Sequence, residues 1–220
     1  MHRFLLILSL TFMAATAQAA SPLLPSQAAK HQLTYKVLHS TYGNIGTYTN
    51  TIEKNGEGTK VTTEARLRVA ILGVTLYRQD IDRVETWKDN RLVGFHGITT
   101  VNGEAVKLDG QADGDHFELM TPDGKLDAPA DVRIANPWSR QAVEGERMLT
   151  PDRGRLEKIS VAGMDNPTLR IGGHSIRTEH FQVLRGGGPR RYEIWLDEKG
   201  TPVQFSVVSP NDTITFTLMV

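Results

Sequence analysis

From Thr59 to Trp87 the chain reads TKVTTEARLRVAILGVTLYRQDIDRVETW, two long runs that meet at Gly73. In the first, Val61, Ala65, Leu67, Val69 and Ile71 share one parity, while Thr62, Glu64, Arg66 and Arg68 share the other. That is the period of a strand with one dry and one wet face. Gly73 tolerates a positive φ, so the chain is expected to turn sharply there and return through Thr75 to Trp87. A ribbon this long points the chain to β architectures.

The same alternation recurs along the sequence. Leu33, Tyr35 and Val37 form one dry face, and Tyr48 to Ile52 another before a turn at Asn55-Gly56-Glu57-Gly58. Val93, Phe95, Thr99 and Val101 end at Asn102-Gly103, the strongest short hairpin signal. Further runs are expected at Val106 to Leu108, Phe117 to Leu119, Arg155 to Val161, Thr168 to Ile171, Ser175 to Leu184, Arg191 to Leu196, Val203 to Val208 and Thr213 to Met219. Between Leu126 and Val143 prolines interrupt the pattern. Asn136-Pro137 reads as an N-cap followed by proline at the first helical position, predicting one short helix over Pro137 to Val143. Together these predict an all-β fold: a single antiparallel β-barrel or strongly curved half-barrel with one short helix.

The N-terminus has a different character. Met1-His2-Arg3 is a short positive start, Phe4 to Met13 an apolar core, and Ala17-Gln18-Ala19 a small-x-small cleavage site. These are the parts of a secretory signal peptide over 1–19, which predicts export and a periplasmic location. A Pro-punctuated leader over 20–30 follows, and the β domain is expected over 31–220. Nothing later approaches the ~20 consecutive apolar residues of a spanning helix, so no transmembrane segment is expected after processing. A transmembrane β-barrel is disfavoured, because the wet faces carry charge along their length, as at Glu64, Arg66 and Arg68. The chain has no cysteine, which excludes disulfides, thiol catalysis and cysteine-bound zinc. Lys plus Arg equals Asp plus Glu at 25 each, so no overall field draws in nucleic acid. The densest positive run, Arg185 to Arg191, contains three glycines and a proline and reads first as a loop.

Chemistry leaves a thinner trace. The nucleophile elbow, the zinc-protease helix, the phosphate-binding loop and the dinucleotide fingerprint are all missing, so no catalytic residue and no cofactor is assigned. His174 and His180, six apart on one strand, would lie about 20 Å from each other, too far to share an ion, and no metal site is assigned. Enzymatic function would be signalled by a pocket that brought His96 or His180 next to Asp80 or Glu179. Asp80 and Asp82 stand beside Arg78 and Arg83, which reads as an ion-pair ladder before it reads as acid/base chemistry.

The return strand departs from the pattern. One parity reads Tyr77, Gln79, Ile81, Arg83, Glu85, Trp87 and the other Leu76, Arg78, Asp80, Asp82, Val84, so neither face is dry. One account is an edge or highly twisted strand whose charges discourage pairing. The other is a parity that faces a partly wet cavity. There Tyr77, Arg83 and Trp87 would bind a hydrophobic or amphipathic ligand, and Trp138 would cap the opening. The partner is then a hydrophobic small molecule or lipid; with a filled interior it is an envelope protein.

The run Ala65 to Arg78, Glu85-Thr86-Trp87 with Asp89-Asn90-Arg91-Leu92, Asn136-Pro137-Trp138 and the closing Ile194-Trp195-Leu196-Asp197 resemble an uncharacterised family of exported bacterial proteins, a domain of unknown function. The chain is also distantly similar to another unannotated periplasmic family. The resemblance implies an antiparallel β fold, like the half-barrels that carry lipoproteins across the periplasm. It implies no activity and no catalytic residue.

Overall fold

The computed structural model describes residues 29–186 and 189–220. The expected signal peptide and nearly all of the leader lie outside the described residues; Ala29 and Lys30 already pair in the first strand. Eight strands follow in order: β1 (Ala29–His39), β2 (Gly43–Asn55), β3 (Gly58–Ile71), β4 (Val74–Lys88), β5 (Arg91–Val101), β6 (Glu104–Asp113), β7 (His116–Thr121) and β8 (Gly124–Pro129). Then come β9 (Arg133–Ile134), a 3-10 turn at Arg140–Val143, β10 (Arg147–Thr150), β11 (Arg155–Gly163), β12 (Thr168–Ile171), β13 (His174–Arg177), β14 (Glu179–Arg185), β15 (Arg191–Leu196), β16 (Pro202–Val208) and β17 (Thr213–Leu218).

Fifteen of these strands make one sheet, in the order β8-β7-β6-β5-β4-β3-β2-β1-β17-β16-β15-β14-β11-β10-β9. All neighbours are antiparallel except β9 and β10. The two ends of the order, β8 and β9, are consecutive in sequence, and residues 130–132 join them. The sheet is thus not closed by a hydrogen-bonded seam; only covalent chain bridges its two ends. Val132 N–H donates to the Pro129 carbonyl at 3.0 Å across the join. The curl carries the β10–β11 turn onto the opposite wall, where a Cβ on Gly154 would lie 2.7 Å from Thr121 Cγ2 and 2.9 Å from Leu108 Cδ2. Hairpin β12–β13 stands apart from the main sheet.

Parity assigns the walls. Tyr35 and Val37, Tyr48 and Ile52, Val61, Ala65, Leu67 and Val69, Phe117 and Leu119, and Ile194 and Leu196 are buried, with polar neighbours between them. At the β1–β17 seam, Phe205 and Phe216 stack with ring centres 4.3 Å apart, and Tyr35 meets Phe205 edge-on at 5.0 Å. Such pairs add about 0.5–1.5 kcal/mol beyond area burial.

Three expectations change. Strand β4 lies between β3 and β5, so its charges do not mark an edge. The run Ser175 to Leu184 is two strands, because Thr178 leaves the ladder and bonds back to the Pro167 carbonyl through both its N–H and its hydroxyl. His174 and His180 therefore lie on different strands. The predicted helix shrinks to a 3-10 turn capped by Ser139, whose hydroxyl accepts from Gln141 N–H at 3.4 Å. Asn136 does not cap it.

Candidate functional site

Asn136 is instead the hub of a buried polar network. Its Nδ2 donates to Glu85 Oε1 at 2.6 Å and to Thr63 Oγ1 at 3.0 Å. Its Oδ1 accepts from Tyr48 Oη at 2.7 Å and Asn50 Nδ2 at 3.0 Å. All four bonds of the amide are made. Thr63 Oγ1 donates to Asn50 Oδ1 at 2.7 Å, and Trp87 Nε1 donates to Glu85 Oε2 at 2.9 Å. Strands β2, β3 and β4 supply the floor of this network, since Asn50 pairs with Thr63 and Val61 with Glu85 in the ladder. The segment leading to the 3-10 turn supplies the other side. Glu85 is 0% exposed, and burial pushes its carboxyl above the usual range against the pull of Asn136, Trp87 and Arg83. With both oxygens facing fixed donors, away from water, this carboxyl locks the loop to the wall.

The half-wet parity of β4 does face inward. Trp87 meets Trp138 edge-on at 6.0 Å, and both rings are buried in the core. Arg83 is buried one row above Glu85. Its Nη2 donates to Thr99 Oγ1 at 3.0 Å, while its Nε has no partner. Burial pulls the guanidinium below its ordinary value; Tyr48, Asp152, Glu85 and Tyr192 oppose this. Gly97 opposite leaves it room, since a Cβ there would lie 3.2 Å from Arg83 Cγ. Tyr77 is half-buried at the other end and bonds Gln79 Oε1 at 3.0 Å. The fold thus brings Arg83, Trp87 and Trp138 to one interior and leaves Tyr77 at its opposite mouth. Two surface recesses, of about 380 and 210 Å³, lie around Arg140 and around Thr178, and none of these four residues lines either.

His180, His96, Asp80, Glu179 and the ends of the positive run each have a partner within the chain. His180 stacks on Trp195 at 4.4 Å, with Nδ1 2.8 Å from Asp165 and Nε2 2.7 Å from Glu193. A carboxylate thus lies on each ring nitrogen. His96 lies 2.5 Å from Asp109. Asp80 pairs with Arg78 and Glu179 with Arg140, so neither meets a histidine as acid/base chemistry would need. Arg185 and Arg191, the ends of the positive run, bind Glu157 and Glu193. Asp113, His116 and Glu118 place ligand atoms within 4.8 Å of one another at the β6–β7 turn. There Lys125 sits on Glu118, and the Asp115 carboxylate raises the pKa of His116, which works against the neutral ring a metal would need.

The free surface with a distinct character is the end of hairpin β3–β4. Ladder pairing of β2 stops at Leu67 and that of β5 at Gln79, while Arg78 still bonds Asn102 and Val69 is still buried, so residues 70–76 project as a two-stranded tip. Ile71, Leu72, Val74 and Leu76 on it are 46%, 99%, 62% and 52% exposed. Leu72 sits at φ 50 and Gly73 at φ 82. Elsewhere the same kind of turn uses Asn102-Gly103 and Asp89-Asn90, the residues that tolerate that backbone. Leucine there is disfavoured by φ and by exposure together. At the base Arg68 and Arg78 stand directly opposite each other. Alternation signalled the ribbon, but how far the neighbouring strands run was not readable from it.

No curated protein matches the sequence. The β-barrel-like protein of domain of unknown function DUF1849 from Brucella abortus superposes with a TM-score of 0.65 at 12% identity, over 88% of this chain and 97% of that chain. The likeness establishes a shared fold. A DUF1089 family protein from Pseudomonas aeruginosa aligns at 13% identity over 86% of this chain and 95% of that one, with a TM-score of 0.37. Among the described residues no helix is long and apolar enough to cross a membrane. The profile of the domain of unknown function DUF6134 matches residues 35–219, nearly the whole chain, and the protein belongs to that family.

Proposed function

We propose that this is an exported, non-catalytic protein of the bacterial envelope that acts by surface contact through the apolar end of hairpin β3–β4, with the barrel as its rigid support. The observation that carries this reading is the interior itself. Where a carrier keeps a hold of several hundred Å³, the Asn136–Glu85 network and the Trp87–Trp138 pair occupy the space with the chain's own groups. The signal-peptide pattern of Met1 to Ala19 supports export. The test is fractionation of cells expressing the native protein and a variant with Ile71→Thr, Leu72→Asn and Val74→Thr. The native protein should stay with envelope material, and the variant should be released at unchanged melting temperature. Equal partition of the two would overturn the reading.

One observation favours a second reading, in which the interior takes the acidic head of an amphipathic ligand. The buried Nε of Arg83 has no partner, and a buried guanidinium is costly to leave incompletely bonded. Native mass spectrometry of protein isolated from its own envelope should then show an added mass that Arg83→Met removes. Repeated spectra of bare polypeptide sink it.

A further inference from the structure

We infer that the partner of the β3–β4 hairpin is a lipid bilayer carrying anionic headgroups, which the hairpin enters tip first; this rests on the surface-contact reading above. Three features of the ribbon select a bilayer over a protein groove. The first is that the apex and the flanks of the tip carry exposed apolar side chains, with Thr75, held by Arg68, as the one polar side chain among residues 70–76. Ile71 and Val74 are cross-strand partners on one face of the ribbon, Leu72 caps the apex, and Leu76 lies at the register shift beside the Val69–Tyr77 pair. All four are substantially exposed. A one-sided groove would cover part of this surface, whereas a fluid apolar medium surrounds it. No charged residue occurs between Arg68 and Arg78.

The second feature is the collar. Arg68 and Arg78 are directly opposed, a placement that repels unless anions lie between or beside the two. Arg66 and Arg78 have Asp82 and Asp80 at 2.7 and 2.8 Å, but Arg68 binds only the Thr75 hydroxyl, at 2.6 and 3.0 Å. A guanidinium at the boundary between an apolar tip and a charged ladder is where a lipid phosphate would sit. Length fits as well: four residues from Arg68 to Leu72 span about 13 Å of strand, enough to carry the tip through the headgroups into the upper acyl region while the collar stays at phosphate depth.

The third feature is cost. The tip turn holds leucine in a left-handed backbone that asparagine fills at Asn102, so turn geometry alone does not account for Leu72. Insertion into hydrocarbon accounts for both the residue and its full exposure.

The experiment is flotation of the exported form, lacking residues 1–19, with vesicles of phosphatidylethanolamine and phosphatidylglycerol, against vesicles of phosphatidylcholine alone. The native protein should float with the anionic vesicles and weaken as salt rises. The triple variant Ile71→Thr, Leu72→Asn, Val74→Thr should bind at least about tenfold more weakly, because its tip no longer gains from leaving water. It keeps its fold, since Asn-Gly suits the turn and threonine keeps the strand shape. Arg68→Gln should narrow the preference for anionic over neutral vesicles several-fold. Native protein that stays with the soluble fraction, or a triple variant that floats equally well, overturns the inference. If vesicle binding is absent while tip-dependent envelope association persists in cells, the partner is a protein and the surface-contact reading stands alone. Tip-dependent dimers in sedimentation would make the occupant a second copy and also overturn it. Loss of both associations would take down both readings.

Discussion

Asn136 Nδ2 lies 2.6 Å from Glu85 Oε1, and this bond ties the connection after β9 to the middle of β4, 51 residues earlier in the chain. Asn136→Ala removes four hydrogen bonds at once and leaves Glu85 and Tyr48 buried with fewer partners. Burying unsatisfied polar groups of this kind costs on the order of 2–4 kcal/mol. Urea denaturation should show the unfolding free energy falling by that amount, as a lower midpoint at unchanged slope. A loss under about 0.5 kcal/mol would mean water replaces the amide and the network is not the tether described here.

Close backbone approach makes a second prediction. A Cβ at Gly46 would lie 2.0 Å from the Arg66 carbonyl oxygen, and φ there is +145. At Gly43, with φ +68, a Cβ would meet nothing within 4 Å. Gly43→Ala should therefore cost about 1 kcal/mol from backbone strain alone. Gly46→Ala must also part β2 from β3, and should cost upward of about 3 kcal/mol or abolish soluble expression. Comparable melting temperatures for the two would contradict this packing.

Ring packing on the opposite wall makes a third. A Cβ at Gly110 would stand 2.6 Å from the Phe117 ring and 2.9 Å from Leu119 Cδ1. Gly110→Ala should lower stability by about 1–3 kcal/mol. Phe117→Leu, which vacates that space, should reduce the cost of Gly110→Ala in a double-mutant cycle, and strict additivity would count against the contact.

Alkaline pH should destabilise the fold through its buried tyrosines. Burial raises the pKa of both Tyr35 and Tyr48 well above the usual phenol range. A group raised in the folded state contributes stability that is complete below its unfolded pKa, ~10 for tyrosine, and lost as pH climbs beyond it. Unfolding free energy should hold from about pH 8 to 9 and fall above about pH 10. Tyr35→Phe should lower stability below that range, because Tyr35 Oη donates to the Pro202 carbonyl at 2.8 Å, and should flatten the alkaline slope. An unchanged slope would place Tyr35 in contact with solvent.

Much of this molecule was written in side-chain alternation. Parity gave the faces of β3 and put Ile81, Arg83, Glu85 and Trp87 on one side of β4, because residues two apart on a strand share a side whatever surrounds them. Turn chemistry placed the hairpins at Asn102-Gly103 and Gly73, since left-handed backbone admits few residues. Tertiary structure decided what those faces meet. Asn136 before Pro137 carries a local signal for a helix cap, yet its side chain serves Tyr48, Asn50, Thr63 and Glu85, three strands brought to it only by the curl of the sheet. It also decided that β4 is central and that the β3–β4 hairpin outruns β2 and β5, since strand order and strand length depend on partners distant in sequence. Local pattern is a property of consecutive residues; filling, exposure and projection are properties of the whole sheet.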